Sequence, residues 1–204
     1  DPYTGTELKG TCQLGLCVPT PSKDAKTEKG GKPNLSCLST PPVLGKGPDK
    51  ATLWGPVETF GLNSNTTNIK VEIFDYAGDP ELKTPLASST SSTPKDTGDC
   101  DPKCADGKAC IHKSCVTVRD EKDNEIGFFE VKDIPTNKLY VIKASGDRFV
   151  DTIQYFLWIP AEKVKDGYFR ERAFIVTTIT KGLIPASAGI SMIAKGNSVI
   201  AGEI

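Results

Sequence analysis

Along the middle of the chain, apolar and polar residues change places with a period of two, the signature of strands with one buried face. Ile69, Val71 and Ile73 alternate with Lys70, Glu72 and Phe74, which predicts a half-buried strand closed by a turn at Ala77-Gly78-Asp79-Pro80. The Ser/Thr run over residues 88–93 predicts a long surface insertion leading into a cysteine cluster. Val116-Thr117-Val118 starts another strand, residues 120–124 supply a polar turn, and Gly127-Phe128-Phe129-Glu130-Val131 is the next strand, with Phe129 and Val131 inward and Glu130 outward. Asp133-Ile134-Pro135-Thr136-Asn137 ends it, and residues 139–144 follow with Tyr140, Ile142 and Ala144 on one face. Residues 149–159 and 173–180 are rich in β-branched and aromatic side chains and predict two more strands. Between them, residues 160–167 predict one helical turn closed by Gly167. Residues 181–193 suit a short helix or a buried loop, and residues 198–204 a final strand.

The first 50 residues break this pattern. They are rich in Gly, Pro, Lys, Ser and Thr, and residues 21–33 have the composition of a disordered segment. Cys12, Cys17 and Cys37 argue instead that the segment is pinned. The expected organisation is a disulfide-tethered irregular arm over residues 1–51, then a β-sandwich over 52–204 with a Cys-rich insertion at 90–116. Many short strands, turn residues between them and little helix give an all-β, antiparallel sandwich.

The remaining cysteines form a second cluster, Cys100, Cys104, Cys110 and Cys115, making seven in all. Clustered cysteines among Gly, Pro and Asp, with one His at most nearby, read as disulfides of an oxidising compartment. Zinc is the sharper alternative, since four thiolates hold it tetrahedrally, but the usual knuckle needs a Cys-x2-Cys pair and neither spacing here is two. Of the three possible pairings within the cluster, the interlaced one is expected, Cys100 with Cys110 and Cys104 with Cys115. An odd cysteine is left over.

Composition changes the picture mainly by exclusion. A formal net charge of −1 over 204 residues leaves no basic footprint for nucleic acid, and no apolar run approaches the roughly 20 residues of a membrane-spanning helix. The chain starts at Asp1 rather than Met, so loss of an export signal is expected, with residence outside the cell or on its surface. His112 is the only histidine; any Ser-His-Asp or Cys-His device would have to use it, and its place inside the Cys cluster beside Lys113 suits a solvated loop residue better. Gly-x-Ser-x-Gly and His-Glu-x-x-His do not occur. No catalytic residue, cofactor or metal is therefore assigned. Calcium through oxygen ligands is the one cofactor left open, on Asp99, Asp101 and Asp106 or on Asp120, Asp123 and Glu125, although neither set fits an EF-hand loop and turn solubility explains both. Trp54, Tyr155, Phe156 and Trp158 suggest a carbohydrate-stacking platform, against which the alternation of residues 155–158 places half of them in a core. Asn34-Leu-Ser36 and Asn65-Thr-Thr67 are glycosylation sequons.

The segment from Asp120 to Gly146 resembles the carboxypeptidase regulatory-like domain, a transthyretin-like sandwich of exported bacterial proteins. The residues that carry the resemblance are Asp123-Asn124, Gly127-Phe128-Phe129, Asp133-Ile134-Pro135, Tyr140, Ile142, Ala144 and Gly146; upstream, Ile69 to Asp75 and Pro85-Leu86-Ala87 look like that family's first strand and turn. Asn137 stands where the family has a turn glycine, and the insertion between Thr90 and Val116 is larger than the family's loop. The resemblance implies a transthyretin/immunoglobulin-like sandwich and no peptidase activity. The expected function is a non-catalytic exported structural or adhesion module, self-associating or binding another surface protein, in the sharpest form a fibre subunit using strand addition through its arm or last strand. The alternative is a glycan- or peptide-binding accessory domain of a larger secreted protein.

Overall fold

A short antiparallel hairpin, β1 (Gly10–Gln13) with β2 (Leu16–Pro19), stands in the segment that composition marked as irregular. The computed structural model describes residues 10–13, 16–19 and 44–187, and divides the chain into two units, Asp1–Gly45 and Lys46–Ile204. Cys37, Asn34 and the final strand expected at residues 198–204 lie outside the described residues. All further elements belong to the second unit.

Its longest described strand, β3 (Lys50–Phe60, 11 residues), was not among the predicted elements, and it contains Gly55 and Pro56. The pair marks a change of partner. The first half of β3 pairs antiparallel with β8 (Phe128–Pro135) and, on its other side, parallel with β12 (Tyr168–Arg170). From Val57 onward that other side is taken by β13 (Ala173–Thr177), also parallel. Where β12 hands over to β13, Glu171 N donates to Trp54 O at 2.9 Å, and a Cβ on Gly55 would lie 1.7 Å from Glu171 O. Only glycine fits that approach. The expectation of a purely antiparallel sandwich fails here, because the last strand of the sheet runs parallel to the first.

β10 (Phe149–Val150) completes this first sheet beside β13. The second sheet is antiparallel throughout, in the order β11 (Thr152–Ile159), β9 (Lys138–Ser145), β4 (Lys70–Asp75), β5 (Ala87–Thr90). β5 falls inside the Ser/Thr run expected to be a surface insertion. Its hydroxyls are short enough to lie in a strand, and Ser91 just after it is wholly buried, its Oγ donating to Thr66 O and accepting from Ile69 N. β4 is also more buried than a half-exposed strand, since Phe74 and Glu72 on its outer face are covered as well.

Two chain segments stitch the sheets together. After β10 the chain crosses to β11 within two residues, and Thr152 Oγ1 holds the corner by donating to Val150 O and accepting from Val176 N. At the opposite side, Ser92 follows β5 and exchanges two backbone hydrogen bonds with Phe128 of β8 (3.0 and 2.8 Å). Between the sheets lies one core: Leu53, Val57, Phe129 and Ile175 from the first meet Val71, Ile73, Tyr140 and Ile142 from the second. Full burial of side chains this size contributes about 2 kcal/mol each. The Tyr140 hydroxyl donates to Pro135 O at 2.5 Å, and burial pushes its pKa well above the usual tyrosine range.

After β11, a single 3₁₀ turn (Ala161–Lys163) stands for the predicted helical turn and ends at Val164, short of Gly167. The one α-helix among the described residues, α1 (Thr178–Ser187), starts three residues earlier than the predicted segment, because Thr177 Oγ1 accepts from Thr180 N at 3.0 Å and so caps it.

β11 carries one flaw. Gln154 opposes Ile142 and Leu157 opposes Tyr140, so Tyr155 and Phe156 together face one residue of β9: a bulge, with Phe156 at φ 64°. This register turns Gln154 toward the core side, where its buried Oε1 has no hydrogen-bond partner among the described residues. Gln154→Leu is expected to raise the unfolding free energy by about 1 kcal/mol, since it removes an unpaired buried acceptor. A urea titration reads this as a higher midpoint; a lower one would contradict the account.

Candidate functional site

The Cys-rich insertion folds into a second small sheet, β6 (Lys108–Ile111) with β7 (Ser114–Thr117). Its two turn residues, His112 and Lys113, both have positive φ (47° and 58°), as a two-residue hairpin turn of the primed kind requires. Cys110 and Cys115 are cross-strand partners, yet each bonds outside the hairpin: Cys100 to Cys110 and Cys104 to Cys115, the interlaced pairing. β1 and β2 repeat the same register, with Cys12 opposite Cys17. The Sγ atoms of Cys100, Cys104 and Cys115 lie within 4.8 Å of one another, but a disulfide sulfur has no thiolate charge with which to hold zinc.

The hairpin lies on the outer face of the first sheet. Because Leu53 points into the main core, Trp54 points out, and there it is only 3% exposed, packed with Phe128 and with Ala109 and Val116 of the hairpin. His112 does not sit in solvent as expected. Its ring stacks on Tyr168 (centroids 3.6 Å apart), meets Trp54 edge-on at 4.9 Å, and its Nε2 is 3.0 Å from Glu130 Oε2. Lys113 Nζ reaches Asp166 Oδ2 at 2.9 Å, and that hydrogen bond and charge hold the ammonium above its usual range. The Arg170 guanidinium covers the Trp54 ring at 5.4 Å. Trp54 thus belongs to a clamp between hairpin and sheet, and is no part of a platform with Tyr155 and Phe156.

Of the carboxylates suggested for calcium, Asp120, Asp123 and Glu125 serve other partners. Asp120 Oδ1 accepts from the backbone N–H of Lys122 and Asn124 (2.8 and 2.9 Å). Slight burial works against its ionisation, but the hydrogen bonds from Asn124 and Lys122 outweigh it and leave the acid below its usual range. Asp123 and Glu125 both pair with Arg119 at 3.3 Å. Asp99, Asp101 and Asp106 are exposed, and among the described residues no three carboxylates converge within ligand distance. The acid that organises the Cys loop is one the sequence did not single out: Asp96 Oδ1 accepts from Gly98 N and Cys110 N.

The remaining feature is on β11, the edge strand of the second sheet. The bulge turns Tyr155 and Phe156 outward, 51% and 64% exposed, and Tyr76 meets Phe156 edge-on at 5.2 Å. Ile153, two residues before Tyr155, is 41% exposed. The alternation expected over residues 155–158 therefore breaks at its first step. Nothing in the sequence marked the slip: counted back from the buried Leu157 and Ile159, a regular strand would put Gln154 on its outer face, and only the bulge turns it inward. No family model, no curated protein and no solved structure matches the chain.

Proposed function

We propose that this chain is a non-catalytic, exported structural or adhesion module that associates through β11, an edge strand of its second sheet among the described residues. The observation that carries the reading is β11: an edge strand with Ile153, Tyr155 and Phe156 exposed along it. An unpaired edge offers main-chain donors and acceptors to another strand, and side chains along it supply the apolar contact. Edges of monomers are usually blunted by charge, whereas here aromatic residues fill the exposed positions. The two formed disulfides suit an oxidising compartment. The finer kinship, with transthyretin-like carboxypeptidase regulatory-like domains, draws support from the turn between β8 and β9, where Asn137 adopts φ 56° as the family's glycine would.

The test is particle size by light scattering and electron microscopy over a concentration series. Oligomers or filaments are expected, and Tyr155→Ser with Phe156→Ser together should abolish them; a monomer at every concentration overturns the reading. The exposed Tyr155 and Phe156, with the half-buried Tyr76 beside them, also favour a second reading, glycan stacking. Saturable quenching of tyrosine emission by polysaccharide, lost in the same double variant of an unchanged monomer, would select it.

A further inference from the structure

The loop between β3 and β4 carries the sequon Asn65-Thr66-Thr67, and its middle residue is built into the fold. Thr66 is 2% exposed, and each of its polar groups is engaged. Its N–H donates to Glu125 O (3.0 Å) and its hydroxyl to Val57 O (2.6 Å). The same hydroxyl accepts from Gly127 N (2.9 Å), and its carbonyl accepts from Ser91 Oγ (2.6 Å). Gly127 permits this closeness, since a Cβ there would lie 2.2 Å from Thr66 O. The residues on either side are consequently presented in one fixed conformation. Asn65 Oδ1 accepts from both Thr67 N (2.9 Å) and Thr67 Oγ1 (2.7 Å). These two donors identify the carboxamide oxygen and polarise the group, while Nδ2 has no protein acceptor among the described residues. Asn65 opens on a polar groove of about 610 Å³, whose wall includes Thr67, Lys70, Ser145, Asp147 and Arg148.

We propose that Asn65 is an N-glycosylation site, accepting an oligosaccharide from a lipid-linked pyrophosphate donor through a membrane-bound transferase. The hydroxyl two residues on, which such an acceptor sequence requires, is already bonded to the carboxamide that must react. In the transfer, Nδ2 attacks the anomeric carbon; the N–C bond forms as the C–O bond to phosphate breaks. The lipid pyrophosphate leaves with the electron pair, and one Nδ2 proton passes to a base of the transferase. The first sugars then lie against the polar groove, where Asp147 and Arg148 can hydrogen-bond their hydroxyls. The proposal rests on the export reading, because lipid-linked donors of this kind are used on the outer side of the membrane.

The experiment uses the full chain isolated natively from the cell-surface fraction. Trypsin releases residues 51–70 as one peptide, which contains this sequon and not the one at Asn34. Mass spectrometry is expected to find that peptide carrying hexose or N-acetylhexosamine increments at Asn65. Asn65→Gln and Thr67→Ala should each return it to its bare mass, and Thr67→Ser should keep the glycan. Bare peptide from surface-localised chain overturns the site while leaving export standing. Bare peptide from chain confined to the cytosol overturns both.

Discussion

Trp54→Ala is expected to lower the unfolding free energy by about 3–5 kcal/mol, the range for deleting a large buried aromatic. The size of the effect follows from where the indole sits. It touches the outer face of the first sheet, the hairpin and the β12 strand at once, through Phe128, His112 and Arg170. Removing it opens a cavity that neighbours cannot fill, because the two disulfides hold the hairpin backbone in place. The variant should nonetheless fold, since Leu53 and Val57 on the other face of β3 keep the main core intact. Guanidinium unfolding followed by far-ultraviolet circular dichroism measures the change without depending on the deleted fluorophore. Phe156→Ala is the control: an exposed aromatic should change stability by no more than about 0.5 kcal/mol. If the two variants lost equal amounts, the hairpin would not be packed on Trp54 at all.

The sequence showed the second sheet far better than the first, for a physical reason. β4, β9 and the end of β11 each set alternate apolar residues on the core, so Tyr140, Ile142 and Ala144 lie inward as expected, although Glu72, Phe74 and Val141 on the outer face are covered too. β3 is buried on both faces, under the main core on one side and the hairpin on the other, so its residues show no alternation. Its Gly55 and Pro56 then mimic a turn, although close approach of Glu171 and a change of pairing partner explain them. The hairpin was illegible for a different reason: His112 and Lys113 are not the residues that advertise a primed turn. Its cysteines were legible as disulfides, but not its docking site, because contact between residue 54 and residue 112 leaves no local trace. The exposed edge of β11 was equally hidden. A bulge is a property of a strand pair, and no residue of β11 alone marked that one strand had slipped.

Reduction of the two disulfides should release the hairpin without dissolving the sheets. Each bond closes a loop of about ten residues, which in the chain-entropy account is worth about 3 kcal/mol. Both loops lie within residues 100–115, so the entropy returned by reduction falls on one short segment. What remains to hold that segment is modest. Ala109 and Val116 bury little area, the His112 ring makes its stack and its bond to Glu130, and the exposed Lys113–Asp166 pair, screened by water, adds little. The main core draws no side chain from residues 93–118 and should survive. In a phosphine reductant, amide hydrogen exchange at Ala109, Cys110 and Val116 is therefore expected to accelerate by at least roughly a hundredfold, the factor equivalent to the roughly 3 kcal/mol of one bond, since the two interlaced loops overlap and their entropies do not simply add. Amides of β4 and β9 should keep their protection, and Trp54 emission should shift to longer wavelength as its cover opens. Loss of protection in both sheets together would show instead that the outer clamp and the inner core unfold as one unit, and that the Cys loop is integral to the fold rather than an attachment to it.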